Sequence, residues 1–229
     1  VTIITSEIAA RRGILIRDMK GLEALRRVTT VVFDKTGTLT EGKFGVTDII
    51  PNTKRSYTPQ TILQYAAAIE SHSEHSIAQG IVEYARRRRV VLLPIDRFMS
   101  YPGKGAEGRV RNKHVLVGNA ALMRERKVKD PAGMLEKYES TSKALVYLAI
   151  DRSVVGVIGL SDIIRKEARA AIKALKRRKI RTVMITGDRR AVAHDVGKQL
   201  GIHVVIAEVL PQDKVREVKR LQKQGEVVA

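Results

Sequence analysis

The sequence predicts an α/β fold in which a parallel-sheet domain is interrupted by an inserted α+β domain. Three observations carry that expectation. An apolar, β-branched run, Val28 to Phe33, ends on Asp34 and a turn of glycine and threonine, as a buried parallel strand does. After about residue 45 the texture changes to two helical stretches and several short strand-like runs. From Ser161 onward helix and strand alternate, the βαβ pattern of a parallel sheet.

The elements follow in order. Residues 1–27 read as a partly helical lead-in, with Met19, Leu22 and Leu25 near a helical period; it is expected to pack on the strand 28–33. Phe44 to Ile50 alternates apolar and polar residues and predicts a strand, and 51–59 a polar loop. Residues 61–70 and 76–87 have helical spacing behind polar starts. Residues 98–102 lead into Gly103-Lys104-Gly105-Ala106-Glu107-Gly108, and strand-like runs follow at 109–111, 114–117, 144–150 and 154–160. A helix over 165–178 precedes a strand over 182–185. Thr186-Gly187-Asp188 opens a helix over 191–200, followed by a strand at 203–207 and a helix at 214–224. The expected division is 1–44 for the lead-in and first part of the outer domain, 45–159 for the insertion, and 160–229 for the second part. The run Arg86 to Arg89 ends a helix, where cations offset the helix dipole; it reads as solvated surface and not as a localisation signal.

Composition narrows the function classes. With 229 residues, 44% of them hydrophobic, the chain can bury one large core or two modest ones. No stretch approaches the roughly 18 apolar residues of a membrane span, and no secretory leader is visible. Cysteine is absent, which excludes disulfides and thiolate metal sites. A first residue of Val suggests a fragment or a processed chain. The net charge of +19 reads as a Lys/Arg-rich surface. With 4% aromatic residues and no Trp, stacking platforms for nucleic acid are poorly supplied, and no nucleic-acid partner is expected.

The chemistry centres on Asp34-Lys35-Thr36-Gly37-Thr38-Leu39-Thr40. In open α/β sheets ligands bind at the carboxyl ends of strands, where Asp34 sits. A carboxylate can form an aspartyl-phosphate intermediate, and positioning with charge neutralisation carries most of such a reaction. Thr36, Thr38 and the Gly37 amide supply donors in a tight turn. Thr186 and Gly187 precede another helix, where amides point at anions, and Lys214 can reach in as a cation. Phosphatases of this design usually carry an acid/base carboxylate two residues after the nucleophile. Here that position is Thr36, which cannot exchange a proton as well at neutral pH, so a persistent phosphoenzyme is expected.

These residues resemble the P-type ATPases: the Asp34 to Thr40 string is similar to their phosphorylation signature, Thr186-Gly187-Asp188 to their TGD element, and Asp213-Lys214 to the element carrying a phosphate-contacting lysine. The resemblance implies a haloacid-dehalogenase-like (Rossmann-like) phosphorylation domain with an inserted nucleotide-binding domain. It implies that Asp34 is phosphorylated, with Lys35, Thr36, Thr186, Gly187, Asp188 and Lys214 around it and Mg2+ held by Asp34 and the Thr36 carbonyl. Glu70 to Ser76 resembles the adenine-site segment of heavy-metal pumps, and Gly103-Lys104-Gly105 and Gly118-Asn119 their Gly-x-Gly loop and Gly-Asn pair. By that resemblance Glu70 and His75 contact the adenine of ATP, while Gly103, Gly105, Gly118 and Asn119 line the nucleotide.

Departures from the family pattern are Ser76 for a usual proline, Arg189 after TGD, and Lys166 after Asp162-x-x-Arg165. Asp162 and Arg165 are expected to line the hinge and phosphate site. An aromatic residue often found after the Gly-Asn pair is absent, with Leu122 nearby. A Gly-Asp-Gly-x-Asn-Asp element, an actuator domain and membrane helices are not in the chain. The expected partners are therefore ATP and the remainder of the same polypeptide, its actuator domain and transmembrane metal site. The expected location is the cytoplasmic side of an integral plasma-membrane protein, and copper the expected cargo, with silver, zinc, cadmium and cobalt open. The rival readings are a soluble haloacid-dehalogenase-type phosphatase, against which Thr36 argues, and a basic nucleic-acid-binding module.

Overall fold

The computed structural model describes residues 9–11, 13–16, 18–138 and 143–229. In chain order the strands are β1 (Thr30–Asp34), β2 (Thr40–Pro51), β3 (Ile95–Tyr101), β4 (Gly105–Val110), β5 (Lys113–Gly118), β6 (Ala144–Ile150), β7 (Ser153–Ile164), β8 (Arg181–Ile185) and β9 (Val204–Ile206). The helices are α1 (Met19–Ala24), α2 (Pro59–Glu70), α3 (Ser76–Arg87), α4 (Ala120–Glu125), α5 (Met134–Lys137), α6 (Lys166–Arg177), α7 (Arg190–Leu200) and α8 (Lys214–Lys223). Contacts divide the chain into two compact units, Val1–Leu39 with Arg165–Ala229, and Thr40–Ile164. The second runs a few residues past the 45–159 expected for the insertion at each end, because β2 and β7 pair from Thr40↔Ile164 to Pro51↔Gly156. The lead-in expectation falls partly on residues 1–8, 12 and 17, outside the described residues; within the described part, residues 9–11 are helical, and α1 and the 3-10 turn Leu25–Arg27 follow.

The first unit holds a parallel sheet in the order β1-β8-β9, with Asp34 beside Ile185 and Ile185 beside Ile206. All three strands thus end together. The central strand β8 is the apolar one because it is buried on both faces: Val183 and Ile185 pack with Val209 and Leu221, and Met184 between them is fully buried, while β1 and β9 flanking it are mostly half-buried. Residues 227–229 add a further parallel edge that the sequence did not reveal. Thr30 N–H donates to the Val227 carbonyl, Val32 N–H to the Ala229 carbonyl, and Ala229 N–H back to the Thr30 carbonyl. Glu226 fixes this edge by accepting from the Thr29 and Thr30 hydroxyls and pairing with Arg181 at 3.1 Å.

The second unit is a six-stranded antiparallel sheet, β2-β7-β6-β5-β4-β3. Side chains alternate between its faces. Val146, Leu148 and Ile150 join the core under α2 and α3, while Tyr147 and Ala149 join the core with Leu122, Met123, Met134 and Leu135 of α4 and α5. Helix α2 starts on Thr58, whose hydroxyl accepts from Thr61 N–H at 3.1 Å, with Pro59 in its first turn. Helix α3 ends on Arg86 and Arg87, both paired with Glu83. These features confirm an α/β parallel-sheet unit and an α+β antiparallel unit. Strand β3 and helices α4 and α5 lie beyond the sequence expectation.

Candidate functional site

In the first unit the turn Lys35–Leu39 leaves β1 with Thr36 extended (φ −77°, ψ 127°) and Gly37 left-handed (φ 77°). A residue with a β-carbon resists that φ, so glycine is the natural occupant. The turn exposes Thr36, Gly37 and Thr38 and buries Lys35 and Leu39. Asp34 is half exposed, and its Oδ2 accepts from Lys214 Nζ at 2.7 Å. Lys214 is delivered there by the start of α8, after a single 3-10 turn at Pro211–Asp213.

The Thr186-Gly187-Asp188 loop sits at the matching end of β8. The Thr186 hydroxyl accepts from Asp188 N–H at 3.2 Å, which caps the turn. Thr186 carbonyl accepts from Val209 N–H and Asp188 carbonyl from Glu208 N–H, lacing the loop to its neighbour. Lys35 does not point at the exposed face: its buried ammonium lies 2.7 Å from Asp188 Oδ2. It ties the β1 turn to the β8 loop. Arg165 donates to the Gly37 carbonyl at 3.2 Å and its own N–H to the Leu39 carbonyl, so it braces the same turn. Asp162, in the other unit, takes the Thr40 hydroxyl at 2.6 Å.

This oxygen-rich end of the sheet fits a hard cation. Among the described residues no cluster of three or more His, Asp or Glu side chains makes a ready-made metal site. The Asp34 and Asp188 carboxylates and the Thr36 carbonyl remain. Mg2+ takes one or two carboxylates and completes its shell with phosphate oxygens and water, whereas zinc and copper favour nitrogen and sulfur.

The second unit brings Glu70, His75, Gly103, Gly105, Gly118 and Asn119 around one cavity of about 400 Å³. Ser73 and Lys104, from within the same two motif segments, line it too, as do Ser100 and Tyr101, which no motif marked. His75 is the N-cap of α3: Ile77 N–H donates to its Nδ1 at 3.3 Å. An accepting Nδ1 leaves the neutral ring's proton on Nε2, so His75 offers a donor. Asn119 caps α4, its Oδ1 taking Leu122 N–H at 3.0 Å while Nδ2 donates to the Gly103 carbonyl at 3.1 Å. Most of its polar capacity therefore holds the loop. Gly105 and Gly118 face each other across β4 and β5, and a Cβ on Gly105 would lie 2.1 Å from the Val117 carbonyl oxygen. Close approach of the two strands requires both glycines, whatever the cavity holds. Leu122, 0% exposed, fills the space beside them.

Glu70 ends α2 with 6% of its surface exposed. Burial pushes its carboxyl up to about 7, since the anion loses water. The folded value lies above the unfolded one, near 4.5. The neutral carboxyl therefore stabilises fully below about pH 4.5, and that contribution is lost as pH rises through about 7. Glu70→Gln is expected to raise stability by about 2 kcal/mol at pH 8 and to change little at pH 5. Thermal melts of both chains at the two pH values check this; an equal shift at both would contradict it.

The chain also matches known proteins along most of its length. The haloacid dehalogenase-like hydrolase family matches residues 28–229. Copper-exporting P-type ATPase B of Archaeoglobus fulgidus is 41% identical over 223 residues, 97% of this chain and 32% of that protein. A probable copper-exporting P-type ATPase V of Mycobacterium tuberculosis is 40% identical, over 96% of this chain and 29% of that protein. Among solved structures, a zinc-transporting PIB-type ATPase in the E2.Pi state matches with a TM-score of 0.85 and 35% identity, over 97% of this chain and 36% of that one. The catalytic domain of the CPx-ATPase CopB-B matches with a TM-score of 0.69 and 25% identity, over 97% of this chain and 78% of that one. The chain thus spans about a third of the length of these curated relatives.

Proposed function

The chain belongs to the haloacid dehalogenase-like hydrolases and matches their P-type ATPase members, and from that premise we propose that it is the catalytic region of a heavy-metal-exporting pump, phosphorylated on Asp34 by ATP. The observation that carries the reading is Asp34 at the end of β1, with Lys214 Nζ 2.7 Å from its carboxylate. Asp34 attacks the γ-phosphorus in line and the bond to the β,γ-bridging oxygen breaks, with ADP leaving. Lys214 then turns from the carboxylate to the transferred phosphoryl oxygens, and the Thr186 hydroxyl with the Gly187 amide donates to them. Lys35 and Asp188 position the two loops without touching substrate. Asp34 and the Thr36 carbonyl would hold Mg2+, which offsets phosphate charge when bound.

The nucleotide is held by the second unit. Glu70 accepts from the adenine amino group and His75 Nε2 donates to a ring nitrogen, while Gly103 leaves open space for the phosphates to pass. An exposed Thr36 hydroxyl stands where a phosphatase would carry its acid/base, which favours a lasting intermediate over simple ester hydrolysis. The free energy of that intermediate would drive copper across a membrane through other parts of the polypeptide, with this region on the cytoplasmic side. Among the described residues no helix is long and apolar enough to cross a membrane.

Two measurements test the reading. Acid-quenched protein exposed to γ-labelled ATP should carry label that hydroxylamine releases, as an acyl phosphate does. His75→Gln should weaken ATP binding by about tenfold, the worth of one hydrogen bond in a partly buried site. Unchanged calorimetric affinity would remove His75 from the nucleotide site.

A further inference from the structure

The α4 face of the antiparallel sheet carries two adjoining cavities that share no lining residue with the Glu70 cavity. One, of about 580 Å³, has an apolar floor of Leu116, Val128 and Ala149 beneath Arg126 and Arg152. The other, of about 410 Å³, is lined by Arg55, Lys127, Lys129 and Arg152 around the single carboxylate of Asp151. Asp151 and Arg152 belong to both, so the two form one continuous recess.

The carboxylates here are already engaged. Glu107 accepts from the Tyr101 hydroxyl at 2.6 Å and lies 3.3 Å from His114 Nε2. Asp151 Oδ1 accepts from His114 N–H at 3.1 Å. Arg55 is spent on the Ser153 hydroxyl at 2.8 Å. Among the described residues Lys127, Lys129 and Arg152 pair with no carboxylate. Lys127, Lys129, Arg152 and Arg55 outnumber the one carboxylate of Asp151, and this excess of positive charge beside an apolar floor attracts a ligand with a multiply charged anionic end and an apolar or planar body.

We propose that this recess binds a soluble phosphorylated organic molecule of nucleotide size, its phosphates among Lys127, Lys129 and Arg152 and its body over Leu116, Val128 and Ala149. The backbone supplies an unusually clean test. Lys127 (φ 49°) and Arg152 (φ 62°) hold left-handed conformations that glycine adopts without strain. Replacing both by glycine removes two cations while relaxing the turns.

The experiment titrates the isotope-labelled 229-residue chain with pyrophosphate, and separately with ADP, and follows backbone amides by NMR. Pyrophosphate is expected to shift Lys127, Lys129 and Arg152 saturably, and ADP to shift Leu116 and Val128 as well. The Lys127→Gly, Arg152→Gly double variant should weaken both about tenfold with no loss in melting temperature. Shifts that fail to saturate, an unchanged affinity in the double variant, or binding only to vesicles carrying phosphoinositide would overturn the proposal. ADP shifts near Glu70 and Asn119 that vanish in His75→Gln report on the other cavity. The loss of one set without the other shows which assignment failed.

Discussion

Asp34→Asn is expected to remove acyl-phosphate formation from ATP by at least about 10³-fold. Asparagine keeps the shape of the side chain but lacks the anionic oxygen that must become a mixed anhydride. No neighbouring group can substitute: Asp188 is held by Lys35 at 2.7 Å, and Thr36 presents only a hydroxyl. The fold should survive the change. The Asp34 side chain is 48% exposed and its Lys214 partner 34%, so the ion pair contributes at most about 1 kcal/mol. Hydroxylamine-labile label measured alongside a thermal melt separates the two effects. Label retained in Asp34→Asn would move the phosphorylation site elsewhere and with it the whole functional reading. Label lost together with a melting temperature lowered by ten degrees would show instead that Asp34 holds the unit together.

Gly105→Ala should produce the largest loss of stability. Its φ of 149° is one that side chains rarely adopt, and the added carbon would meet the Val117 carbonyl oxygen at 2.1 Å and Gly118 Cα at 2.5 Å. Both are backbone atoms in the adjoining strand, so no rotamer change relieves the overlap. Strands β4 and β5 must separate, disturbing the cores on both faces of the sheet. A cost of about 3 kcal/mol follows, or a melting temperature lower by roughly 10 °C. Gly103→Ala is the control. Its φ of 70° is also positive, but nothing lies within 4 Å of the new carbon, so the cost should stay near 1 kcal/mol. Similar melting temperatures for the two variants would mean that the strands yield easily and that the paired glycines serve the cavity alone.

The parallel-sheet unit was legible in the sequence because each of its elements obeys one local rule. Val28 to Phe33 is a β-branched, mostly apolar run that ends on a Gly/Thr turn, enough to mark a strand although most of β1 is only half-buried, and α6, α7 and α8 keep one apolar stripe each. Strand β3 was not legible because its period is broken. The register shifts between Asp96 and Met99, and Arg97 takes a φ of 55°. The half-buried residues accordingly fall at Ile95, Phe98 and Tyr101, three apart and not two. Helices α4 and α5 are six and four residues long, too short to show a period, and α4 rests on the Asn119 cap.

The candidate residues were legible as motifs, but the physical reason for several of them was not. The sequence offered Lys35 as part of a signature; only tertiary structure reveals that it is buried against Asp188. It offered Gly105 and Gly118 as a flexible loop and a pair; only the strand register puts them face to face. Glu70 is buried where α2 ends and shares its cavity with Ile77 and Ala78 of α3 and with Leu145 and Val146 of β6, which no spacing along α2 encodes. The edge formed by residues 227–229 has no length of its own to register as a strand, since its partner β1 defines it.

The pairing of Thr40 with Ile164 has a consequence for how such a chain can be rebuilt. The antiparallel unit begins and finishes on one rung of the same ladder, with its two ends about 5 Å apart. A cassette with adjacent ends can be lifted out, circularised by a few glycines, or exchanged for a relative's version without stretching the scaffold that hosts it. Its size is likewise free to change, because length added between those ends never alters the gap they bridge.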